Sequence, residues 1–221
     1  MQVAKSTPSY EDNVFINCPF DRQFKPILNA IVFAIHDAGF CARCGLEVID
    51  SGQTRLAKIL SIIAECKYGI HDISRTETGG KTKLPRFNMP FECGLFWGSF
   101  EYGAKKHKNK RILVLDSEEY RYRASLSDIA GQDIQAHHNN PRLAINKIRS
   151  WLNSNSGRTT IPGGKAIWDH YVLFQKELPP IIKALGITRA ELNTPEYYHD
   201  YVAIIVRWLI EQEAKAAEKK G

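Results

Sequence analysis

VFINCPFD, running from Val14 to Asp21, begins with four residues of β type and closes on a Cys-Pro-Phe-Asp turn. Immediately after it the apolar period changes. Phe24, Ile27, Leu28, Ile31, Val32 and Ile35 recur at helical spacing, and Gly39 stops the run. Strand, loop and helix in that order make the first half of a βαβ unit. The pattern then repeats. LEVID (Leu46 to Asp50) reads as a second strand, and SGQT opens a helix whose buried face is marked by Leu56, Ile59, Leu60, Ile62 and Ile63. KYGIHDIS returns to strand. Alternation of this kind predicts a parallel sheet in a three-layer α/β domain.

Outward from that core, RTETGGKTK (Arg75 to Lys83) reads as a long loop, and LPRFNMPFECGLFWGSFEYG as the approach to a helix with Phe91, Leu95 and Phe96 on its apolar face. RILVLD (Arg111 to Asp116) is a fourth strand. The pattern weakens from Ser117 to His138, and PRLAINKIRSWL (Pro141 to Leu152) closes the domain as a helix opened by proline in its first turn. Residues 12–152 thus form the α/β domain, and the Ser, Gly and Pro-rich residues 153–164 a linker. Residues 165–219 form a helical region. Its last helix, expected from Pro195 to Ala217, carries Tyr201, Ile204, Ile205, Trp208 and Leu209 on one stripe, which fits packing on the main domain or pairing of subunits into a homo-oligomer.

Composition excludes several classes. The 221 residues are 43% hydrophobic and 24% charged, enough to bury a real core. No run approaches the roughly 20 apolar residues that span a bilayer, and the first residues lack a signal peptide's apolar centre, so a cytoplasmic protein with no membrane partner is expected. Five scattered cysteines form no disulfide framework, and the Cys41–Cys44 pair lacks the second pair that a structural zinc needs, so no metal is expected. The net charge of +6 is concentrated in Lys105 to Arg111 and the final eight residues. With no interleaved aromatics and no recognisable module, this argues against nucleic acid and suits a small anionic ligand.

Ligands of open parallel sheets bind beyond the carboxyl ends of the strands. That rule selects Asn17, Cys18, Pro19, Phe20 and Asp21 after the first strand, Asp50, Ser51 and Gly52 after the second, and Asp72 and Ser74 after the third. Arg86, Asn88 and Glu92 approach the same edge after the long loop. Asp21, Asp50 and Ser51 serve equally well as helix caps, and Asp72 as part of a polar turn. Glu92 differs, because a carboxylate among Phe91, Cys93, Leu95 and Phe96 is costly unless paired or used. Burial raises its pKa, and Arg86 or Arg55 nearby lowers it. The chain has no GxGxxG, P-loop or GxSxG elbow, and His71 lies inside a strand, where a core role is expected.

Three of these segments carry a family resemblance. VFINCPFD, IIAECKYGIHDIS and NMPFECGLFWG resemble, in order and spacing, the first strand and loop, the third strand and the glutamate segment of nucleoside 2-deoxyribosyltransferases. They are also similar to TIR-like (Toll/interleukin-1 receptor-like) nucleotide-cleaving domains of bacterial phage defence. The resemblance covers residues 12 to 152 and implies a flavodoxin-like fold and cleavage of an N-glycosidic bond, with NAD or a related nucleotide as substrate and no cofactor. Glu92 matches the glutamate that attacks the anomeric carbon or stabilises its developing positive charge. Asn88 matches a polar residue on the sugar, Cys18, Pro19 and Phe20 match the loop over the base, and Asp72 and Ser74 match the end of the third strand. Where the transferases carry an aspartate and small residues before the glutamate, this chain reads Asn88, Met89, Pro90, Phe91, which points away from deoxyribosyl transfer. Two other readings of the same domain are a sensor that binds a nucleotide and signals through the helical tail, and a purely structural interaction domain.

Overall fold

The computed structural model describes residues 9–75 and 87–218. Among these, five strands form one all-parallel sheet: β1 (Asn13–Asn17), β2 (Cys41–Arg43), β3 (Tyr68–Asp72), β4 (Arg111–Asp116) and β5 (Gln135–Ala136), in the order β2-β1-β3-β4-β5. Four helices flank it: α1 (Lys25–Asp37), α2 (Arg55–Ala64), α3 (Asn88–Tyr102) and α4 (Pro141–Ser156). Alternation along each strand assigns them to faces. Val14, Ile16, Tyr68, Ile70, Leu113 and Leu115 turn toward α1 and α4, while Phe15 meets α2 and α3 through Ile59, Ile62, Ile63 and Phe96. Both faces are therefore covered, as a parallel sheet requires.

The second strand lies earlier than LEVID suggests. Gly39, at φ +80°, turns the chain at the end of α1 so tightly that the Cys41 amide already bonds the Asp12 carbonyl at 2.9 Å. The sheet edge is filled by residues 41–43, Glu47 is drawn into an ion pair with Arg43 at 2.6 Å, and Ile49 is left exposed. The stripe on α2 is also narrower than expected. Ile59, Ile62 and Ile63 are buried, whereas Leu56 and Leu60 point outward, because the helix touches the sheet along one row only. On α3, Phe91 is exposed and the buried face is made by Met89, Glu92, Cys93 and Phe96. The loop expected at residues 75–83, except Arg75, lies outside the described residues, as does Arg86.

The helix at Pro141 runs on through Ser156, past the start of the expected linker, and ends at Gly157 in the left-handed region with φ +68°. Beyond it come α5 (Gly164–Ala184), a short α6 (Arg189–Leu192) that the sequence pattern does not announce, and α7 (Tyr198–Glu218). These helices share the core of the sheet domain. Phe33 on α1, fully buried, packs its ring 5.3 Å from Tyr171 and Phe174 and 5.9 Å from Trp208. The stripe on α7 is thus spent on the main domain. No helix among the described residues is long and apolar enough to cross a membrane.

Four of the five cysteines, Cys18, Cys44, Cys66 and Cys93, are buried, and burial pushes their thiols up, to about 12 for Cys44 and Cys93. Cys41 is partly exposed. At pH 8 a disulfide thiol reagent is expected to modify Cys41 first and the others only at the rate of unfolding. Rapid reaction of all five would show that both faces of the sheet open readily, since Cys18 and Cys44 lie in the core under α1 and Cys66 and Cys93 in the clusters under α2 and α3.

Candidate functional site

The chain reverses its direction across the sheet between β1 and β3, and their carboxyl ends form the crevice where parallel sheets bind ligands. Asn17 ends β1 there, 2% exposed. Its amide donates to the Met89 carbonyl at 2.7 Å, in the first turn of α3, and to Nδ1 of His71 at 3.1 Å. Because the amide nitrogen only donates, His71 accepts on Nδ1 and carries its proton on Nε2. That Nε2 has no partner among the described residues, and the ring is wedged edge-on against Phe15 and Phe96. Burial, reinforced by the charge of Lys110, lowers the His71 pKa to about 3.

This neutral histidine makes the fold acid-sensitive. The unfolded chain takes up a proton near pH 6.5, whereas the folded one resists until about 3. Stability contributed by His71 is therefore complete above pH 6.5 and lost as pH falls toward 3, at up to about 1.4 kcal/mol per pH unit. His71→Gln is expected to flatten the dependence of unfolding free energy on pH between 6 and 4. An unchanged slope in a denaturant titration would assign the acid sensitivity to other groups.

Asp72 ends β3 and is fully buried. Its carboxylate accepts the Ser74 amide at 2.9 Å and Nε2 of His137 at 2.9 Å, and the Ser74 hydroxyl stands 3.2 Å from the same Nε2. The Asn139 amide donates to Nδ1 of His137 at 3.0 Å, which again fixes the proton on Nε2. Serine, histidine and aspartate are together, but not as a hydrolytic triad, in which the acid and the serine occupy opposite ring nitrogens. Here the cluster ties β3 to the turn before α4. Next to it Asp116, fully buried at the end of β4, is held by Arg121 at 2.5 and 2.8 Å. Burial raises its pKa and the Arg121 bonds oppose that. Sequence reading missed His137, Asp116 and Arg121. The only signal for the first was a histidine-asparagine run just before a helix-opening proline.

Glu92 lies in the second turn of α3 and is 8% exposed. Its nearest cation is Arg55, the first residue of α2, with Nη2 3.9 Å from Oε1, too far for a hydrogen bond. The Arg55 side chain is 58% exposed, so its charge is well screened. Burial therefore raises the Glu92 pKa, and Arg55 only partly opposes it. Asn88, one helical turn earlier on the same face, is exposed, and Phe87 and Phe91 stand open beside it. Cys18 is buried behind this mouth, and burial together with the charges of Asp72, Cys44 and Glu92 keeps its thiol protonated. It is no nucleophile.

The expected residues therefore separate into groups. Glu92 lies 3.9 Å from Arg55, with the exposed Asn88 one turn earlier on α3, at the carboxyl edge of the sheet. Asn17, Cys18, Pro19, Asp72 and Ser74 are buried support behind it. Phe20 turns to the opposite face of the sheet and lines a cleft with Tyr171. Asp21 holds the start of α1, accepting the amides of Gln23 and Phe24 at 3.0 Å, and pairs with Arg75 at 3.4 Å. Ser51 is exposed in a turn closed by Asp50, whose carboxylate accepts the Gly52 amide at 2.8 Å, and Thr54 rather than Asp50 or Ser51 caps α2. No protein-family model, curated protein or solved structure matches this chain.

Proposed function

We propose that this chain is an N-glycosidase that cleaves the ribosyl bond of NAD or a related nucleotide at Glu92. The observation that carries the reading is a nearly buried carboxyl group with no hydrogen bond among the described residues and only a distant, exposed cation, at the carboxyl edge of a parallel sheet. A structural glutamate would be paired more closely. The strand order supports the reading, since flavodoxin-like doubly wound sheets share it and bind nucleotides at this edge.

Glycosidic cleavage develops positive charge at the anomeric carbon, and an adjacent carboxylate in a poorly solvated site stabilises it strongly. The carbon–nitrogen bond breaks with its electron pair leaving on the base. Water then attacks the sugar carbon, losing a proton, either directly or after a transient ester to Glu92. The exposed rings of Phe87 and Phe91 offer faces for the departing base, and Asn88 a donor for the sugar hydroxyls. Similarity to phage-defence domains makes antiviral defence the proposed setting.

The test is chromatography of NAD, NADP and deoxynucleosides after incubation with concentrated protein. Release of nicotinamide or a free base by the wild type is the expected result. No release from any of them would remove the enzymatic reading and leave nucleotide sensing in its place.

A further inference from the structure

On the opposite face of the sheet, a cleft of about 710 Å³ lies between the first turns of α1, the middle of α5 and the α6 turn. Its volume is in the range of small-molecule sites. Three cations line it, Arg22 and Lys25 from the start of α1 and Arg189 from α6, and none of its lining residues is acidic. The three acids adjacent in sequence to lining residues are engaged elsewhere, Asp21 with backbone amides and Arg75, Glu191 with Thr188 at 2.7 Å, and the exposed Glu196 with Thr194.

Lys25 is the informative group, being only 8% exposed and without an ion pair among the described residues. Its stem is packed away while its nitrogen, which is not among the fully buried atoms, reaches the cleft, and partial burial lowers its pKa. One turn on, Asn29 is also 8% exposed, and its Oδ1 is buried with no partner among the described residues. Lys25 and Asn29 share one face of α1 by their spacing, so a missing anion and a missing donor fall side by side. Arg189 is held by Gln175 at 2.8 Å, which fixes one guanidinium edge. Phe20 and Pro26 add apolar wall.

We infer that this cleft is a second ligand site, independent of Glu92, which binds a phosphate-bearing small molecule the size of a nucleoside monophosphate. Lys25, Arg22 and Arg189 take the phosphate, whose charge pairs with an ammonium that has no ion pair among the described residues. Asn29 accepts from a hydroxyl or amino group of the ligand, and Phe20 flanks its ring. The residues that enter the cleft from α5 and α6 belong to the helical tail, so occupancy joins the tail to the β1–α1 loop.

Calorimetric titration of the full chain with adenosine 5′-monophosphate, inorganic phosphate and adenosine tests this. The monophosphate is expected to bind, phosphate to compete with it, and adenosine to bind far more weakly. Arg22→Gln and Arg189→Gln, both at exposed positions, are expected to weaken the monophosphate about tenfold each. Lys25→Met is expected to lose binding while its unliganded melting temperature holds, because the ammonium has no ion pair among the described residues to lose and the apolar stem is kept. Glu92→Gln is expected to bind like the wild type, which keeps this result separate from the glycosidase reading. The inference is overturned if the monophosphate does not bind, if adenosine binds as tightly, if the cation variants leave affinity unchanged, or if Glu92→Gln alone weakens it.

Discussion

Glu92→Gln is expected to cut glycosidase turnover at least about a hundredfold while leaving the protein as stable as the wild type or more stable. The two effects share one origin. Burial raises the pKa of this carboxyl group, so the folded state holds its proton more tightly than the unfolded state does. At neutral pH the ionised form therefore opposes folding, and this cost disappears as pH falls through the raised pKa. Glutamine, of nearly the same shape, removes the charge at every pH. The loss of the 3.9 Å contact to Arg55 costs little, since that guanidinium is mostly in water. A gain of about 1 kcal/mol would lift the melting temperature by about 2–4 °C. In the proposed mechanism the ionised carboxylate acts, so the wild-type rate is expected to fall on the acid side, and Arg55→Gln to move that limb to higher pH. Full activity in Glu92→Gln would remove the residue from the chemistry, and a marked fall in its melting temperature would make it a structural group.

The second large effect concerns the joint between sheet domain and tail. Phe33→Ala is expected to destabilise the protein by about 3–5 kcal/mol, as for a fully buried aromatic ring whose site cannot collapse. Tyr171, Phe174 and Trp208 surround it from two helices of the tail, and Trp208 is anchored by its own bond to Glu177 at 2.7 Å. The cavity thus cannot be filled by a small side-chain shift. In a melting experiment the midpoint is expected to fall by about 10 °C or more, in one transition for the whole chain. A loss below about 1 kcal/mol, or two separate transitions, would mean that the tail folds apart from the sheet.

Much of this architecture is legible in the sequence where local and tertiary demands agree. β1, α1, β3 and β4 each combine a clean apolar period with a boundary residue, and Gly39 marks the first helix end through its positive φ. β2 escapes because three residues at a sheet edge carry no period, whereas the apolar residues of LEVID advertise a strand that the tight Gly39 turn makes unnecessary. Phe91 misleads for a related reason. On α3 large side chains occur nearly all round, so the pattern cannot say which of them meets the sheet. Glu92 stands out because an acid in that company is costly wherever it lands. His137 does not, since its meaning arises only when the turn before α4 is brought to the end of β3, and the Asp116–Arg121 pair does not because its spacing of five residues matches neither a helical nor a strand period.

The Asn17 amide has one further implication. By bonding both the Met89 carbonyl and His71, it references the start of α3 to the two central strands rather than to the chain segment that leads into the helix. The position of Glu92, three residues beyond Met89, is then set by the sheet. Asn17→Ala would accordingly free the start of α3 and let the Glu92 carboxylate shift against the strand ends, although no charged group has been changed.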